Sequence, residues 1–236
     1  MKLARIETAD GVLDGEYDDG TVTTDEGTYT VGEDATLKAP CVPRVFYCVG
    51  RNYGEKVDQM GYDVPEEPDF FIKGPTSLCD PDGPIEYPSF TEELTYAGEL
   101  AAVIDVACHE LSEDEVDDAV RGYTILNDLD CLDQERRTAR KAFDGSAPLG
   151  PVIDTEVDPV GLDMTTHING ELRQEDNTAN MFIKPREVIA FLSERFTFHP
   201  GDVISFGSPA NPGLLERGDE IAIEYEGIGV LRNTVE

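Results

Sequence analysis

Residues 98–104 read GELAAVI, and residues 122–128 read GYTILND. Both are short apolar runs of the length that buried strands have, and each carries a carboxylate at one end, Glu99 and Asp128. A charge at the end of a buried strand is costly unless it is paired or bound to a metal ion. Carboxylates are also what Mg²⁺ uses in proteins, together with water and substrate oxygens. These two segments predict strands of one sheet and a candidate metal site; the alternative is a pair of capping or surface acids.

The rest of the chain predicts a mostly β, α+β fold. Residues 1–42 contain short β-prone stretches separated by turn signals such as Asp10-Gly11, and they predict a small N-terminal β region of hairpins. Residues 43–236 form the second predicted domain, which begins with the apolar strand 45–49. Because strands and helices do not alternate regularly, a doubly wound sheet is disfavoured, and a mixed β-roll or sandwich with short peripheral helices is expected.

Three segments predict helices or loops around this sheet. Ser112 and Glu115 have the spacing of a capping box, which predicts a helix to about residue 121. Residues 131–142 are charged and helix-like, and residues 145–151 predict a loop because of their glycines and prolines. Pro185 stands where a helix begins, with its apolar face on Val188, Ile189, Phe191 and Leu192.

Composition excludes several functions. The chain of 236 residues has 50 acidic and 18 basic side chains and a formal charge of −32, which disfavours nucleic-acid binding because phosphates would be repelled. No apolar run is long enough for a membrane span, and no secretory signal is visible, so membrane partners are not expected. Five cysteines without CxxC pairs argue against disulfides and zinc, and they favour a reducing cytoplasm. The dispersed acidity indicates a protein from a halophile, in which concentrated salt screens the repulsion.

Two kinds of side chain remain as candidates for chemistry. The three histidines, at 109, 167 and 199, lie in no nucleophile motif, so a Ser-His-Asp hydrolase is not supported. Lys141 and Lys73 stand out because lysines are few, and either could bind an anionic substrate or simply lie in an acidic surface.

Read in order, these segments resemble the fumarylacetoacetate hydrolase family. The motifs are Gly50-Arg51-Asn52-Tyr53, FFIK at 70–73, GELAAVI, GYTILND, Lys141 with Phe143-Asp144, PLGP at 148–151, NGE-x-RQ at 169–174, and HPGDVI with Gly207-Ser208-Pro209. The resemblance runs from residue 45 to the end. It implies a mixed β-roll, a homodimer, and one Mg²⁺ or Mn²⁺ per chain. It also implies metal-assisted C–C hydrolysis, decarboxylation, isomerisation or dehydration of a small 2-oxo acid, enol acid or 1,3-diketone that bears a carboxylate.

Carried over residue by residue, the resemblance implies metal ligands at Glu99 and Asp128, a catalytic Lys141, and substrate contacts from Arg51, Tyr53, Gln174 and Ser208. Several family positions differ. Ala97 replaces the first metal ligand, so the ion would be bound weakly, and Asp130 and Leu132 replace the serine and arginine of S-x-R-D. Lys56 and Gln59 replace the lid histidine and its acid, which leaves Lys56 as an acid or electrostatic partner.

These differences leave two hypotheses open. The first is a divergent, metal-dependent enzyme that keeps Glu99, Asp128, Lys141 and Gln174. The second is a non-catalytic paralogue that binds a ligand or a partner on the same scaffold.

Overall fold

The computed structural model describes residues 1–54, 61, 64, 66–210 and 213–236, and strands dominate it, as predicted. The expectation of a mostly β, α+β fold is confirmed. Over the described residues the strands are β1 (Lys2–Thr8), β2 (Gly11–Asp18), β3 (Thr21–Thr24), β4 (Gly27–Thr30), β5 (Thr36–Lys38), β6 (Phe46–Gly50), β7 (Asp69–Lys73), β8 (Leu78–Cys79), β9 (Pro84–Ile85), β10 (Leu94–Thr95), β11 (Gly98–Ile104), β12 (Val120–Asn127), β13 (Asp130–Cys131), β14 (Ala147–Asp154), β15 (Asp163–Ile168), β16 (Glu171–Asn177), β17 (Val203–Ser205), β18 (Glu220–Tyr225) and β19 (Gly229–Val235).

The helices in the described part of the chain are short. They are α1 (Val116–Ala119), α2 (Arg137–Lys141) and α3 (Pro185–Ser193), with 3₁₀ turns at Pro75–Ser77, Glu113–Glu115 and Thr178–Asn180. The predicted capping box is present, since both the backbone N–H and the hydroxyl of Ser112 donate to Glu115. Helix α3 begins at Pro185 and buries Val188, Ile189 and Leu192, as its apolar spacing predicts.

Two sheets enclose the main core. The larger sheet has the order β4-β3-β2-β1-β14-β12-β11-β17-β6-β7, and the smaller one has the order β16-β15-β18-β19-β9. Side chains of β11 alternate between two hydrophobic clusters: Leu100 and Ala102 join the cluster that contains Ile221 and Ile223 of the smaller sheet. Ala101 and Val103 point to the opposite face and join a second, smaller cluster. Because side chains alternate along a strand, Glu99 lies on this second face.

The first strands of the chain are continuous with the large sheet. Strand β1 pairs antiparallel with β2 and β5, and its Leu3 lies opposite Ile153 of β14. The hairpins predicted from the turn signals are therefore part of the sheet that carries the candidate site, and the proposed boundary after residue 42 stays a prediction.

Three local predictions differ from the structure in their bounds, each because part of the segment pairs with a neighbouring strand. Residues 145–151 do not form a loop throughout: Ala147 begins β14, which pairs with β12 and β1. The helix after the capping box ends at Ala119, because Val120 already pairs with Ile104 of β11. In the segment 131–142, β13 pairs with β10, and the helix begins only at Arg137.

Candidate functional site

The register of β11 and β12 brings the two predicted carboxylates onto one face of the large sheet. Glu99 lies opposite Leu126, and two residue pairs further along, just past the end of the ladder, the backbone N–H of Asp128 donates to the carbonyl of Ala97 at 2.9 Å. Opposed residues of an antiparallel pair project to the same side, and so do residues two apart on one strand. Ala97, Glu99 and Asp128 are therefore neighbours on the face away from the smaller sheet.

Glu99 is held by the last residue of β17 and by the segment that follows it. Its carboxylate is buried, and Oε2 accepts hydrogen bonds from the Ser205 hydroxyl at 2.6 Å and from the Gly207 N–H at 3.2 Å. Hydrogen bonds of this kind offset the cost of taking a charged group out of water.

Asp128 lies between two lysines. Lys73 Nζ is 2.8 Å from Oδ1, and Lys141 Nζ is 2.5 Å from Oδ2. Burial raises the pKa of Asp128, but the charges and hydrogen bonds of Lys141 and Lys73 outweigh it and hold the pKa at about 2. The buried Lys73 ammonium also donates to the carbonyls of Leu129 and Ser146, at 3.1 and 2.6 Å, so its position is fixed from three sides.

A second aspartate, Asp130, extends this cluster. Arg140 donates two hydrogen bonds to it, at 2.8 and 2.6 Å, and Lys141 Nζ lies 3.3 Å from its Oδ2. Burial lowers the pKa of Lys141, but Asp128 and Asp130 together raise it well above its ordinary value. Lys141 is therefore a fixed ammonium between two carboxylates, with 17% of its side chain exposed.

Two arginines meet a third aspartate beside the cluster. Arg137 donates two hydrogen bonds of 2.7 Å to Asp69, which lower the pKa of that carboxyl, and Arg51 Nε lies 3.6 Å from it. The ammonium of Lys141 and the guanidinium of Arg137 lie 5.0 and 5.8 Å from the ring centre of Phe71.

Five cations thus contact three aspartates in a chain whose acidic side chains outnumber the basic ones 50 to 18. With the neighbouring Glu99 included, cations and carboxylates nearly balance at this place, in contrast to the strongly acidic chain as a whole. The cations are Arg51, Lys73, Arg137, Arg140 and Lys141.

Comparison with known proteins identifies the family of this chain. Residues 45–236 match the family described as fumarylacetoacetate (FAA) hydrolase C-terminal. The chain belongs to the fumarylacetoacetate hydrolase family. Oxaloacetate tautomerase YcgM of Escherichia coli is 36% identical over 191 residues, which cover 76% of this chain and 87% of that protein.

Solved structures of the family have the same fold as this chain over its whole length. The crystal structure of 5-carboxymethyl-2-hydroxymuconate delta-isomerase from Mycobacterium smegmatis has a TM-score of 0.91 at 32% identity and covers 100% of this chain and 99% of that one. Fumarylacetoacetate hydrolase from Exiguobacterium antarcticum has a TM-score of 0.87 at 30% identity, with coverage of 100% and 99%. The predicted family is confirmed, and with it the prediction of an enzyme of hydrolase, lyase or isomerase type.

Of the predicted substrate contacts, Arg51 lies in the cationic cluster, whereas Tyr53, Gln174 and Ser208 are buried. Gln174 crosslinks the two sheets: its Oε1 accepts from the Gly98 N–H and the Thr166 hydroxyl, and its Nε2 donates to the carbonyls of Pro209 and Ala210. Burial raises the pKa of the Tyr53 hydroxyl far above its usual range. Contact of these residues with a substrate stays a prediction. Lys56 and Gln59 lie outside the described residues.

The sequence analysis missed the roles of Lys73 and Asp130. Lys73 ends the apolar strand FFIK, and a lysine there in a lysine-poor chain was the available signal. Asp130 was noted only as the replacement of a serine. Asn52 was quoted only as part of a motif, but its amide joins Ile183 and Phe206 and fixes the chain beside the site.

The described residues do not fit the divalent ion that the family resemblance implies. Ala97 contributes a methyl group where a carboxylate is expected, and both oxygens of Asp128 already face ammonium groups. No three His, Cys, Asp or Glu side chains in the described ranges are grouped so that they could hold a metal. Within the same ranges, none of the helices has the length and apolar character needed to cross a bilayer.

Proposed function

We propose that this chain is an enzyme that interconverts the keto and enol forms of a small 2-oxo acid. The observation that carries the proposal is the partly exposed Lys141 ammonium, fixed between Asp128 and Asp130 at the edge of a cationic cluster. The substrate carboxylate is expected to bind at the cations, and its 2-oxo oxygen is expected to face Lys141.

The reaction needs no co-substrate. Water takes the proton from the carbon next to the carbonyl, the C–H electron pair becomes the C=C bond of the enol, and the C=O π pair moves to the oxygen, which takes up a proton from water, so that one proton is transferred from carbon to oxygen. Negative charge builds up on that oxygen in the transition state. A fixed ammonium in a partly buried site stabilises this charge without having to reorganise.

Isomerisation is favoured over C–C hydrolysis by the residues at the lid positions. Lys56 and Gln59 stand where the family has a histidine and an acid. A lysine at its ordinary pKa is protonated at neutral pH, so it cannot activate water as a neutral imidazole does. Isomerisation is among the activities named for the relatives, since the Escherichia coli protein is called a tautomerase and the Mycobacterium smegmatis protein an isomerase, while the Exiguobacterium antarcticum protein is called a hydrolase.

The test follows the loss of the enol absorbance of oxaloacetate in concentrated KCl. We expect the wild type to accelerate the conversion and Lys141→Met to lose at least a hundredfold in kcat/KM. Lys38→Met is the matched control, because Lys38 also pairs with carboxylates, Asp80 and Glu7, but lies on β5. It should keep full activity.

Two results would contradict the proposal. One is cleavage of a 2,4-dioxo acid by the wild type with no effect on the enol, which would make the chain a hydrolase. The other is equal activity of wild type and Lys141→Met. Inactivity towards every 2-oxo and enol acid supplied would favour the non-catalytic paralogue.

A further inference from the structure

The part of the cationic cluster around Asp128 differs from a metal site in two ways: it has too few carboxylate ligands, and its carboxylates are already balanced by cations. Among the described residues, the carboxylates of Glu99, Asp128 and Asp130 are matched by the cations Lys73, Arg140 and Lys141. A divalent ion added to this set would leave two positive charges in excess inside a partly buried cluster. At low effective dielectric, repulsion between charges a few ångströms apart is severe.

Two differences from the family motif, Ala97 and Asp130, both favour an ammonium group over a metal ion at this place. Ala97 removes a carboxylate from the face where an ion would lie, while Asp130 supplies one on the other side of Lys141. Compared with the family motif, this chain has one carboxylate fewer at position 97, beside Asp128, and one more at position 130, beside Lys141. Lys141 consequently gains a second anchor, and each oxygen of Asp128 lies within 3 Å of an ammonium group, Lys73 at 2.8 Å and Lys141 at 2.5 Å.

We propose that the ammonium of Lys141, held between Asp128 and Asp130, replaces the divalent cation in this chain. The inference rests on the proposed function. An ammonium has three N–H donors and no acceptor. Two of them face Asp128 and Asp130, at 2.5 and 3.3 Å, and the third is left for the 2-oxo oxygen of a substrate on the exposed side.

The rest of the cluster keeps this ammonium in place. Ser146 joins the two lysines, because its hydroxyl donates to the Lys141 carbonyl at 2.8 Å and its own carbonyl accepts from Lys73. Lys73 neutralises one oxygen of Asp128 from the buried side, and Arg140 holds both oxygens of Asp130. Lys73 and Arg140 are positioning residues, and Lys141 is the group that contacts the substrate.

The test separates metal binding from activity. Wild-type protein is titrated calorimetrically with Mn²⁺, and its enol conversion is measured with EDTA and with Mn²⁺. We expect no saturable Mn²⁺ binding up to millimolar concentration and no change in rate with EDTA. The double variant Ala97→Glu/Asp130→Ser restores the family residues and should bind one Mn²⁺ per chain at least tenfold more tightly, or about 1.4 kcal/mol.

Asp117→Ser is the matched control for Asp130→Ser, because Asp117 also takes two hydrogen bonds from an arginine, Arg186, at 2.8 and 2.6 Å. It should not create Mn²⁺ binding. If the double variant is too unstable to titrate, the wild-type titration alone decides. One Mn²⁺ per chain in the wild type, lost in Asp128→Asn, would overturn the inference.

Activity that disappears with EDTA and returns with Mn²⁺ would also overturn it, while leaving the proposed function intact. The reverse outcome, no Mn²⁺ binding together with no enol conversion, would refute the proposed function, and with it the substrate contact of Lys141, while still showing that the chain binds no divalent ion.

Discussion

At the scale of single residues, Lys73 shows how the protein stabilises a charge in its interior. The side chain is completely buried, yet its ammonium contacts one carboxylate and two backbone carbonyls. A buried ion pair contributes little by itself, because desolvation offsets the attraction, but removing one partner leaves the other charge without compensation.

Lys73→Met should therefore lower the free energy of unfolding by about 3–5 kcal/mol, measured by chemical denaturation. Lys184→Met is the control, since Lys184 also donates to two carbonyls, of Ala179 and Met181, but is partly exposed; it should cost about 1 kcal/mol. Replacing Asp128 by Asn in the Lys73→Met background should recover part of the loss. A double variant less stable than Lys73→Met would show that losing the pair of Asp128 with Lys141, which Asn also breaks, outweighs the charge that Lys73→Met leaves uncompensated on the buried side.

The sequence predicts the candidate residues of the site better than it predicts their partners. Glu99, Asp128 and Lys141 follow from strand ends and from the family resemblance. The contact of Lys73 with Asp128 could not be predicted, because β7 and β12 are not neighbours in the large sheet. Three strands, β11, β17 and β6, lie between them in the strand order, so only the folded sheet brings the two residues together. The bridging position of Asp130 depends in the same way on where α2 packs.

At the scale of elements, the site depends on how closely β11 approaches the smaller sheet. Gly98 stands between Ala97 and Glu99, and a Cβ atom there would lie 2.7 Å from the Thr166 hydroxyl and 2.8 Å from a methyl group of Ile223. Only a glycine lets β11 lie this close to the smaller sheet. Gly98 therefore fixes both the spacing of the two sheets and the position of the adjacent Glu99.

Gly98→Ala should lower the free energy of unfolding by about 1–3 kcal/mol, because the added methyl group overpacks the interface between the sheets. Gly50→Ala is the matched control: Gly50 also lies in a strand, and its nearest neighbour is 4.0 Å from the added Cβ. Thermal and chemical denaturation of both variants provide the measurement. Equal stability of the two variants would mean that the sheets can separate without cost.

Elements that were predicted wrongly share one physical cause. Proline and glycine indicated a loop at 145–151, but backbone pairing with two neighbouring strands makes most of that segment β14. The helix that opens at the capping box is shortened because Val120 joins a ladder. Local signals indicated the type of some of these elements, and long-range pairing decided their bounds.

At the scale of the whole molecule, the acidic charge is spread over the surface. Among the described residues, the buried acids are only Glu99, Asp128, Asp130, Asp154 and Asp202. The remaining acids repel one another across the surface at low ionic strength. The cationic cluster is the exception to this pattern, and for this reason we propose it as the place where an anionic substrate binds.

We expect the stability of the protein to depend strongly on salt, since the formal charge is −32. The Debye length falls from about 10 Å at 0.1 M salt to about 3 Å at 1 M, so concentrated KCl screens the surface repulsion. The melting temperature should rise by many degrees between about 0.1 M and 2 M KCl. Light scattering at both concentrations shows whether dissociation of the predicted homodimer contributes.

Salt also strengthens apolar burial, so a charge-reduced variant has to separate the two effects. The triple variant Asp25→Asn/Glu26→Gln/Glu33→Gln neutralises three exposed acids in the turns between the N-terminal strands without touching the candidate site. Because it removes repulsion, it should melt above the wild type in dilute KCl and together with it in concentrated KCl. If the variant gains nothing in dilute salt, repulsion between surface acids does not control stability. If the wild type itself melts at one temperature in both salts, the halophile interpretation is wrong.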